Sequence, residues 1–308
     1  MGKIAFVFSG QGAQYTGMGK QLYDTEKAAK TVFDTADSIC PGTLQMCFEG
    51  TKEELSITVN TQPCLFCVDL VAALCLKEHG IMPEALAGFS LGEIAALTFC
   101  DVFTLEDGFA FVCKRAQFMH EETLKTNSTM VAVLKMPNDK LEELCKEFEG
   151  VFPVNYNGPG QTVVALAASL KEGFCEAVRA NGGRAMPLPV SAAFHSPYLD
   201  GAAVRLAETL KETEVKIPAL PVYANLSARP YSTDVEGVKR TIAEQANHPV
   251  YWQKTIENMV ADGIDTFVEV GAGKTLSNLI KKIAPQVQIY NVEDAQSLVE
   301  TVAAIKAN

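Results

Sequence analysis

The feature that most constrains the fold is a serine between two glycines, where a short apolar segment gives way to a helical pattern. Residues 88–93 read Gly-Phe-Ser-Leu-Gly-Glu and match G-x-S-x-G, with an apolar segment at 85–89 and a helical pattern at 91–100. A serine on such a strand-to-helix turn exposes its hydroxyl beside an N–H that can bind an oxyanion. The helix N-terminus also favours negative charge there. Because the pattern is short and common, an ordinary turn is the alternative interpretation.

Composition excludes several classes of protein. The 308 residues allow one large domain or two smaller ones, and 48% hydrophobic with 20% charged residues is ordinary for a globular chain. The net charge of −11 argues against nucleic acid or an anionic membrane as a partner. The apolar run at 4–8 is too short for a signal peptide, and no apolar run approaches the ~18 residues of a membrane span. We therefore expect a cytoplasmic protein.

Nine cysteines raise the question of disulfides or a metal. Most of them fall in apolar contexts, where cysteine behaves as a small hydrophobic residue. Cys64 and Cys67 form a C-x-x-C pair, but no second pair or histidine follows at zinc spacing. We expect reduced core thiols and no metal site.

The order of predicted elements indicates an α/β fold with a smaller inserted unit. Up to residue 125, strands at 3–9 and 85–89 alternate with helices at 62–79 and 104–122, as in a mainly parallel sheet. Pro63 is expected early in the first of these helices.

A β-α-β-β-α-β order follows, which is ferredoxin-like. Its predicted elements lie at 130–135, 138–149, 152–157, 162–167, 170–180 and 184–189. Strands then resume at 222–225, 266–270 and 287–290.

Few residues are candidates for a general base or a ligand-binding group. Of the four histidines, His195 alone falls where the inserted unit ends, and a junction between domains commonly forms a cleft. A structural role is its alternative. Arg115 lies in an otherwise apolar helical pattern; it is either a solvated cation or, in a cleft, a bidentate partner for a substrate carboxylate.

Two glycine-rich runs fail as nucleotide-binding motifs. The run at 10–14, Gly-Gln-Gly-Ala-Gln, would need glycine in place of Tyr15 to be a dinucleotide fingerprint. The run at 271–275, Gly-Ala-Gly-Lys-Thr, would need glycine in place of Val268 to be a P-loop. The first run instead is a tight loop or brings backbone N–H groups close to an anion.

From the loop at 10–14 to the turn at 271–275, the motifs together resemble the malonyl-CoA:acyl-carrier-protein transacylase family. The resemblance implies an α/β-hydrolase-like core with a parallel sheet, formed by residues 1–125 and 192–308, and a ferredoxin-like insert at 126–191. It implies transfer of malonyl from malonyl-CoA to the phosphopantetheine thiol of acyl carrier protein, through a malonyl-serine, in fatty acid synthesis. It also implies a monomer without a cofactor.

The resemblance assigns the reacting groups. Ser90 would be the nucleophile and His195 its base, and the backbone N–H groups of Gln11 and Leu91 would form the oxyanion hole. Gln245 matches the residue whose backbone carbonyl holds the histidine ring, so no acidic residue needs to complete a triad.

The resemblance also assigns the acyl pocket. Arg115 would pair with the malonyl carboxylate, and Gln62 would help to position this region. Phe194 resembles the form associated with malonyl selectivity, because an aromatic ring leaves little room for an α-methyl branch. Phe89 departs from the family, many of whose members have histidine before the serine.

Three alternatives to this function stay open. They are a free-standing acyltransferase of a polyketide synthase, a serine hydrolase or thioesterase that shares Ser90 and His195, and a catalytically silent acyl-binding subunit. The carrier protein, the acyl selectivity that Phe89 confers, the carrier docking surface and the oligomeric state are not determined by these motifs.

Overall fold

The computed structural model describes residues 2–190 and 192–307, so the predicted end of the insert at residue 191 lies outside the described residues. The strands are β1 (Lys3–Phe8), β2 (Ala85–Gly88), β3 (Ser128–Leu134), β4 (Val151–Gly158), β5 (Gln161–Ala167), β6 (Arg184–Pro187), β7 (Val222–Tyr223), β8 (Ile264–Val270) and β9 (Gln288–Val292). The helices are α1 (Lys20–Thr25), α2 (Lys27–Ile39), α3 (Thr43–Glu49), α4 (Lys52–Leu55), α5 (Thr58–Glu78), α6 (Leu91–Phe99), α7 (Leu105–Lys125), α8 (Asn138–Lys146), α9 (Lys171–Ala180), α10 (Asp200–Glu212), α11 (Val235–Glu244), α12 (Trp252–Ala261), α13 (Thr275–Ile283) and α14 (Ala295–Ala307).

A five-stranded parallel sheet forms the larger part, in the order β7-β2-β1-β8-β9. Along β1, Phe6 and Phe8 belong to one hydrophobic cluster, whereas Ala5 and Val7 belong to a second one. Because successive side chains of a strand point to opposite faces, both faces of this sheet are buried. The glycine-rich loop at 10–14 and the serine turn follow the carboxyl ends of β1 and β2.

The smaller part is a four-stranded antiparallel sheet in the order β4-β5-β3-β6. Its elements follow the chain order β3-α8-β4-β5-α9-β6. Val131 and Val164 face a cluster shared with α8 and α9, while Met130 and Val163 lie in a cluster on the opposite face. The predicted fold class, a parallel α/β sheet with a ferredoxin-like insert, is confirmed. The insert boundaries at 126 and 191 stay a prediction.

Backbone hydrogen bonds and side-chain packing join the antiparallel sheet to the segment of the larger part that precedes α12. The N–H of Val250 donates to the carbonyl of Val154 at 2.7 Å, and the N–H of Tyr156 donates to the carbonyl of Val250 at 2.9 Å. The rings of Tyr156 and Tyr251 stack with their centroids 5.1 Å apart. The insert is thus fixed to the segment that precedes α12.

Helix α5 differs from its predicted form. It begins at Thr58, four residues before the predicted start at 62, so that Pro63 lies in its second turn and not at an early position. A proline there removes one i→i−4 hydrogen bond, and the burial of the residues that follow outweighs this loss. We also expected no segment as long and apolar as a membrane span, and this was wrong: by length and composition alone, α5 could span a membrane. Most of α5 is buried in the core.

Candidate active site

Ser90 lies on a sharp turn that connects β2 to α6. Its backbone has φ 53° and ψ −104°, an uncommon conformation for a residue other than glycine. A Cβ atom added to Gly88 would lie 2.0 Å from the backbone carbon of Gly92, and one added to Gly92 would lie 2.3 Å from the carbonyl oxygen of Phe8. The two glycines therefore let α6 rest directly on the sheet, with Ser90 at its N-terminus.

Asn225, two residues after the end of the neighbouring strand β7, holds this turn. Its Oδ1 accepts a hydrogen bond from the N–H of Ser90 at 2.7 Å, and its Nδ2 donates to the carbonyl of Gly88 at 2.6 Å. Residue 225 ends the predicted strand at 222–225, and no role was predicted for it. Its position after β7 could have indicated a place near Ser90, because the carboxyl ends of parallel strands meet at one edge of the sheet.

His195 and Ser90 are hydrogen-bonded although 105 residues separate them: Nε2 of the ring lies 2.8 Å from Oγ of Ser90. The other ring nitrogen, Nδ1, lies 2.9 Å from the backbone carbonyl oxygen of Gln245. Because a carbonyl only accepts, Nδ1 carries the proton, and Nε2 is left to accept the hydroxyl proton of Ser90. His195 has φ 62°, and its N–H donates to the carbonyl of Ala246 at 3.1 Å, which fixes the ring beside this segment.

Burial sets the protonation of the histidine. His195 is 3% exposed. This burial, and next the positive charge of Arg115, lower the pKa of His195 to about 4. The imidazole is therefore neutral at neutral pH, which is the form that accepts a proton.

Arg115 projects from α7 to the same serine. Its Nη2 donates to Oγ of Ser90 at 3.2 Å and to Oε1 of Gln245 at 2.7 Å, and its Nη1 donates to Oε1 of Gln62 at 2.7 Å. The side chain is 1% exposed, and its Nε is buried without a hydrogen-bond partner. Burial lowers the pKa of Arg115 to about 10, so the guanidinium stays charged at neutral pH.

No carboxylate within the described ranges, 2–190 and 192–307, lies at ion-pair distance from Arg115. A buried cation that is held only by neutral amides and a hydroxyl has the chemistry to bind an anionic group.

Gln11 and Leu91, whose backbone N–H groups are the predicted oxyanion donors, line the same cleft as Ser90. In the part of the chain that the structure describes, neither group donates a hydrogen bond to the protein. For Leu91 the reason is its place as the first residue of α6, because the first N–H groups of a helix have no acceptor within it. Both are thus available to an oxyanion.

The cleft has a volume of about 750 Å³ and lies between the two sheets. Met130 and Val163 of the antiparallel sheet line it, together with Leu188 and Phe194. Phe89, the departure from the family pattern, also lines the cleft, and its ring meets that of Trp252 edge-on with the centroids 5.6 Å apart. Most of the exposed cleft surface is apolar, and polar side chains are placed within it, as is typical of ligand sites.

The structure places every predicted site residue in or beside this cleft. Five belong to one hydrogen-bonded network: Ser90, His195, Arg115, Gln62 and Gln245. Three more line the cleft: Gln11, Leu91 and Phe194. Among the described residues no group of three or more histidine, cysteine, aspartate or glutamate side chains is arranged to hold a metal, and the nine cysteines are free thiols.

The chain is similar in sequence to known acyl transferases. The model of the acyl transferase domain family matches residues 5–301. The malonyl CoA-acyl carrier protein transacylase of Bacillus subtilis is 38% identical over 312 residues, which cover 99% of this chain and 98% of the relative.

Solved structures agree with this match. The malonyl CoA-acyl carrier protein transacylase of Clostridium perfringens superposes with a TM-score of 0.95 at 34% identity, over 99% of this chain and 98% of that one. A malonyl-transacylase in complex with its type II polyketide synthase acyl-carrier protein superposes with a TM-score of 0.94 at 30% identity, over 98% of this chain and 99% of that one.

Proposed function

The chain belongs to the acyl transferase domain family, and on this premise we propose that it transfers the malonyl group from malonyl-CoA to the phosphopantetheine thiol of acyl carrier protein, for fatty acid synthesis. The observation that carries the proposal is the buried guanidinium of Arg115, which lies 3.2 Å from Oγ of Ser90 and has no carboxylate partner within the described residues. An acyl group on Ser90 that carries its own carboxylate supplies that partner.

The reaction has two half-reactions with one serine. Nε2 of His195 takes the hydroxyl proton while Oγ of Ser90 attacks the thioester carbonyl. The N–H groups of Gln11 and Leu91 bind the resulting oxyanion, and each such donor typically contributes about 3–4 kcal/mol. The carbon–sulfur bond then breaks, and the imidazolium gives its proton to the departing coenzyme A thiolate.

In the second half-reaction, the carrier thiol gives its proton to Nε2 of His195 and attacks the malonyl-serine ester. The proton returns to Ser90 when the ester bond breaks. Gln62 and Gln245 hold the guanidinium of Arg115 in place throughout, and Phe194 narrows the pocket against a branched acyl group. These steps require no cofactor. We also infer that the protein acts as a cytoplasmic monomer.

One comparison favours a second carrier. The complex of a malonyl-transacylase with a type II polyketide synthase carrier protein makes a polyketide carrier the alternative acceptor for the same chemistry.

The proposal is tested by intact-mass analysis after incubation with malonyl-CoA or acetyl-CoA, without carrier protein. Wild-type protein should gain a long-lived malonyl adduct, which Ser90→Ala should lack. Arg115→Ala should lose the malonyl adduct and retain or gain the acetyl adduct. Lys114→Ala, which removes the exposed cation next to it in sequence, is the matched control and should behave as wild type.

The other outcomes separate the alternatives. Rapid release of coenzyme A without an adduct would indicate a hydrolase or thioesterase and overturn the proposal. The absence of both adduct and release would indicate a silent acyl-binding subunit. Equal loss of both acyl groups in Arg115→Ala would contradict the role of Arg115.

A further inference from the structure

Glu93 is a buried carboxylate that the reaction scheme leaves without a role. It lies on the first turn of α6, three residues after Ser90, and is 0% exposed. Its Oε2 accepts a hydrogen bond from the N–H of Asn225 at 2.6 Å, and its Oε1 accepts one from the hydroxyl of Tyr231. Both donors are neutral, so nothing bonded to the carboxylate cancels its charge.

Glu93 is connected to Arg115 through the backbone of the serine and one amide. The carbonyl of Ser90 accepts from the N–H of Glu93 at 3.2 Å and from Nε2 of Gln245 at 2.6 Å. Oε1 of that same Gln245 amide accepts from Nη2 of Arg115 at 2.7 Å. Glu93 and Arg115 thus face each other across Gln245 as separated opposite charges within one desolvated network.

We propose that Glu93 is the internal counter-charge of Arg115 and a specificity-determining residue, which takes up one proton from solvent when the malonyl carboxylate pairs with Arg115. The inference rests on the proposed function, because it needs an acyl group with its own carboxylate. Without this proton, two buried carboxylates would share one guanidinium, and their repulsion would oppose binding. An acyl group without a carboxylate leaves the balance of Glu93 and Arg115 unchanged.

The electrostatics support the direction of proton movement. Burial raises the pKa of Glu93 to about 7, against the opposing effects of Tyr231, Asn225, Gln245 and Arg115. When a malonyl carboxylate offsets the charge of Arg115, one of these opposing effects is lost, and the pKa of Glu93 rises further. Near pH 7 to 8, Glu93 is therefore protonated in a larger fraction of the malonyl complex than of the free protein.

The other titratable groups around Glu93 do not supply this proton change. Burial holds the pKa of Tyr231 well above its usual value, and the nearby thiol of Cys100 has its pKa raised to about 12, also by burial. Arg115 is charged and His195 is neutral at pH 8. Glu93 is the member of this group of five that changes its protonation near neutral pH.

The test measures proton uptake by titration calorimetry in two buffers of different ionisation enthalpy. Ser90→Ala protein, which binds without reacting, is titrated with malonyl-CoA and with acetyl-CoA at pH 8. We expect net proton uptake, of at most one proton, for malonyl-CoA and none for acetyl-CoA. Because both ligands carry the same coenzyme, protons that move at its phosphates cancel in the difference.

Two further variants of the Ser90→Ala protein assign the proton. Adding Glu93→Gln should abolish the difference between the thioesters. Adding Tyr231→Phe leaves the carboxyl group of Glu93 in place but removes one hydrogen bond that lowers its pKa. The pH range over which malonyl-CoA binding takes up a proton should therefore move to higher pH. If Glu93 had only a structural role, this range would not move.

Two results would each overturn this inference without affecting the proposed function: equal proton uptake for the two thioesters, or unchanged uptake in the Glu93→Gln protein. If the Glu93→Gln protein does not fold, the Tyr231→Phe protein provides the test, because proton uptake over the same pH range as in its parent would also contradict the role of Glu93. Failure of the wild type to form a malonyl adduct would overturn the proposed function as well, so the two failures are distinguishable.

Discussion

His195 and Arg115 both contact the hydroxyl oxygen of Ser90, and the charge of Arg115 affects the protonation of His195. The guanidinium lies in a buried site, where its field acts on the imidazole with little screening by water. It therefore disfavours the imidazolium, after the larger effect of burial itself. The same arginine that we propose selects the substrate thus also keeps the base in its neutral form.

This coupling predicts a shift in the pH dependence of acetyl transfer. With a pKa of about 4, His195 loses its function as a base only as the pH falls toward 4. Arg115→Ala removes one cause of the lowered pKa, so the acid limb of kcat/KM for acetyl-CoA should move to higher pH, toward the usual value of about 6.5. Rate measurements from pH 4 to 8 on wild type, Arg115→Ala and the Lys114→Ala control test this. Superimposable acid limbs in wild type and Arg115→Ala would contradict it.

Sequence patterns identified the reacting groups better than the residues that hold them. Ser90 lies in a local motif, and His195 was one of only four histidines to consider. Asn225 and Tyr231 act on the turn from 135 and 138 residues away, and no local pattern shows such contacts. Glu93 lies within the motif at 88–93, but its burial depends on how α6 packs against the rest of the protein, which the local sequence of α6 does not specify.

For the helices and strands, the close contact between α6 and β1 is what aims Ser90 at the cleft. A Cβ atom on Gly92 would meet the carbonyl oxygens of Phe8 and Ser9, both at 2.3 Å, and these belong to rigid backbone and not to flexible side chains. The helix can accept a larger residue only by moving away from the strand, and the N-terminus that carries Ser90 would move with it.

Gly92→Ala is therefore predicted to destabilise the protein by about 1–3 kcal/mol or more, as overpacking in a well-packed core does. Gly173→Ala is the matched control: Gly173 lies inside α9, and a Cβ atom there has no heavy atom within 4 Å. The control should stabilise the protein by roughly 0.5–1 kcal/mol, because alanine is the better helix former. Chemical denaturation measures both, and the prediction fails if the two variants change stability in the same direction.

The strands were predicted to within a few residues because apolar runs with glycine and proline at their ends are a strong local signal. Helices α1 to α4, at 20–55, were not predicted. The signal for α2 was present, since its buried residues follow a helical repeat: Ala29, Val32, Phe33 and Ala36. Helices α1 and α3 begin after Gly19 and Gly42 in the left-handed conformation, without a capping side chain, so the usual start signals are absent.

In the molecule as a whole, buried carboxyl groups lie beneath the active-site loops of the parallel sheet. Asp69 on α5 is 0% exposed, and its Oδ1 accepts a hydrogen bond from Oγ of Ser9 at 2.6 Å, at the end of β1. Its Oδ2 is buried without a partner. Burial, together with the nearby Glu269, raises the pKa of Asp69 well above its usual value of 3.8. This group ties α5 to the loop that carries Gln11, but it opposes folding when the unfolded chain can ionise it.

The sign of this effect gives a prediction for the whole protein. The folded state holds the proton of Asp69 while the unfolded state releases it above pH 3.8, so the wild type loses stability as the pH rises from about 4 toward the raised pKa. Asp69→Asn keeps the acceptor for Ser9 and cannot ionise. Its free energy of unfolding, relative to wild type, should therefore increase with pH, at a rate of at most about 1.4 kcal/mol per pH unit.

Urea denaturation of wild type, Asp69→Asn and the control Asp139→Asn, which changes an exposed aspartate on α8, tests this between pH 4 and pH 8. The difference between Asp69→Asn and wild type should be smallest at pH 4 and largest at pH 8, whereas Asp139→Asn should follow the wild type. A constant difference across this range would mean that Asp69 does not retain its proton in the folded protein. In that case the buried acid beneath the oxyanion loop is ionised, and the hydrogen bond from Ser9 is charge-assisted.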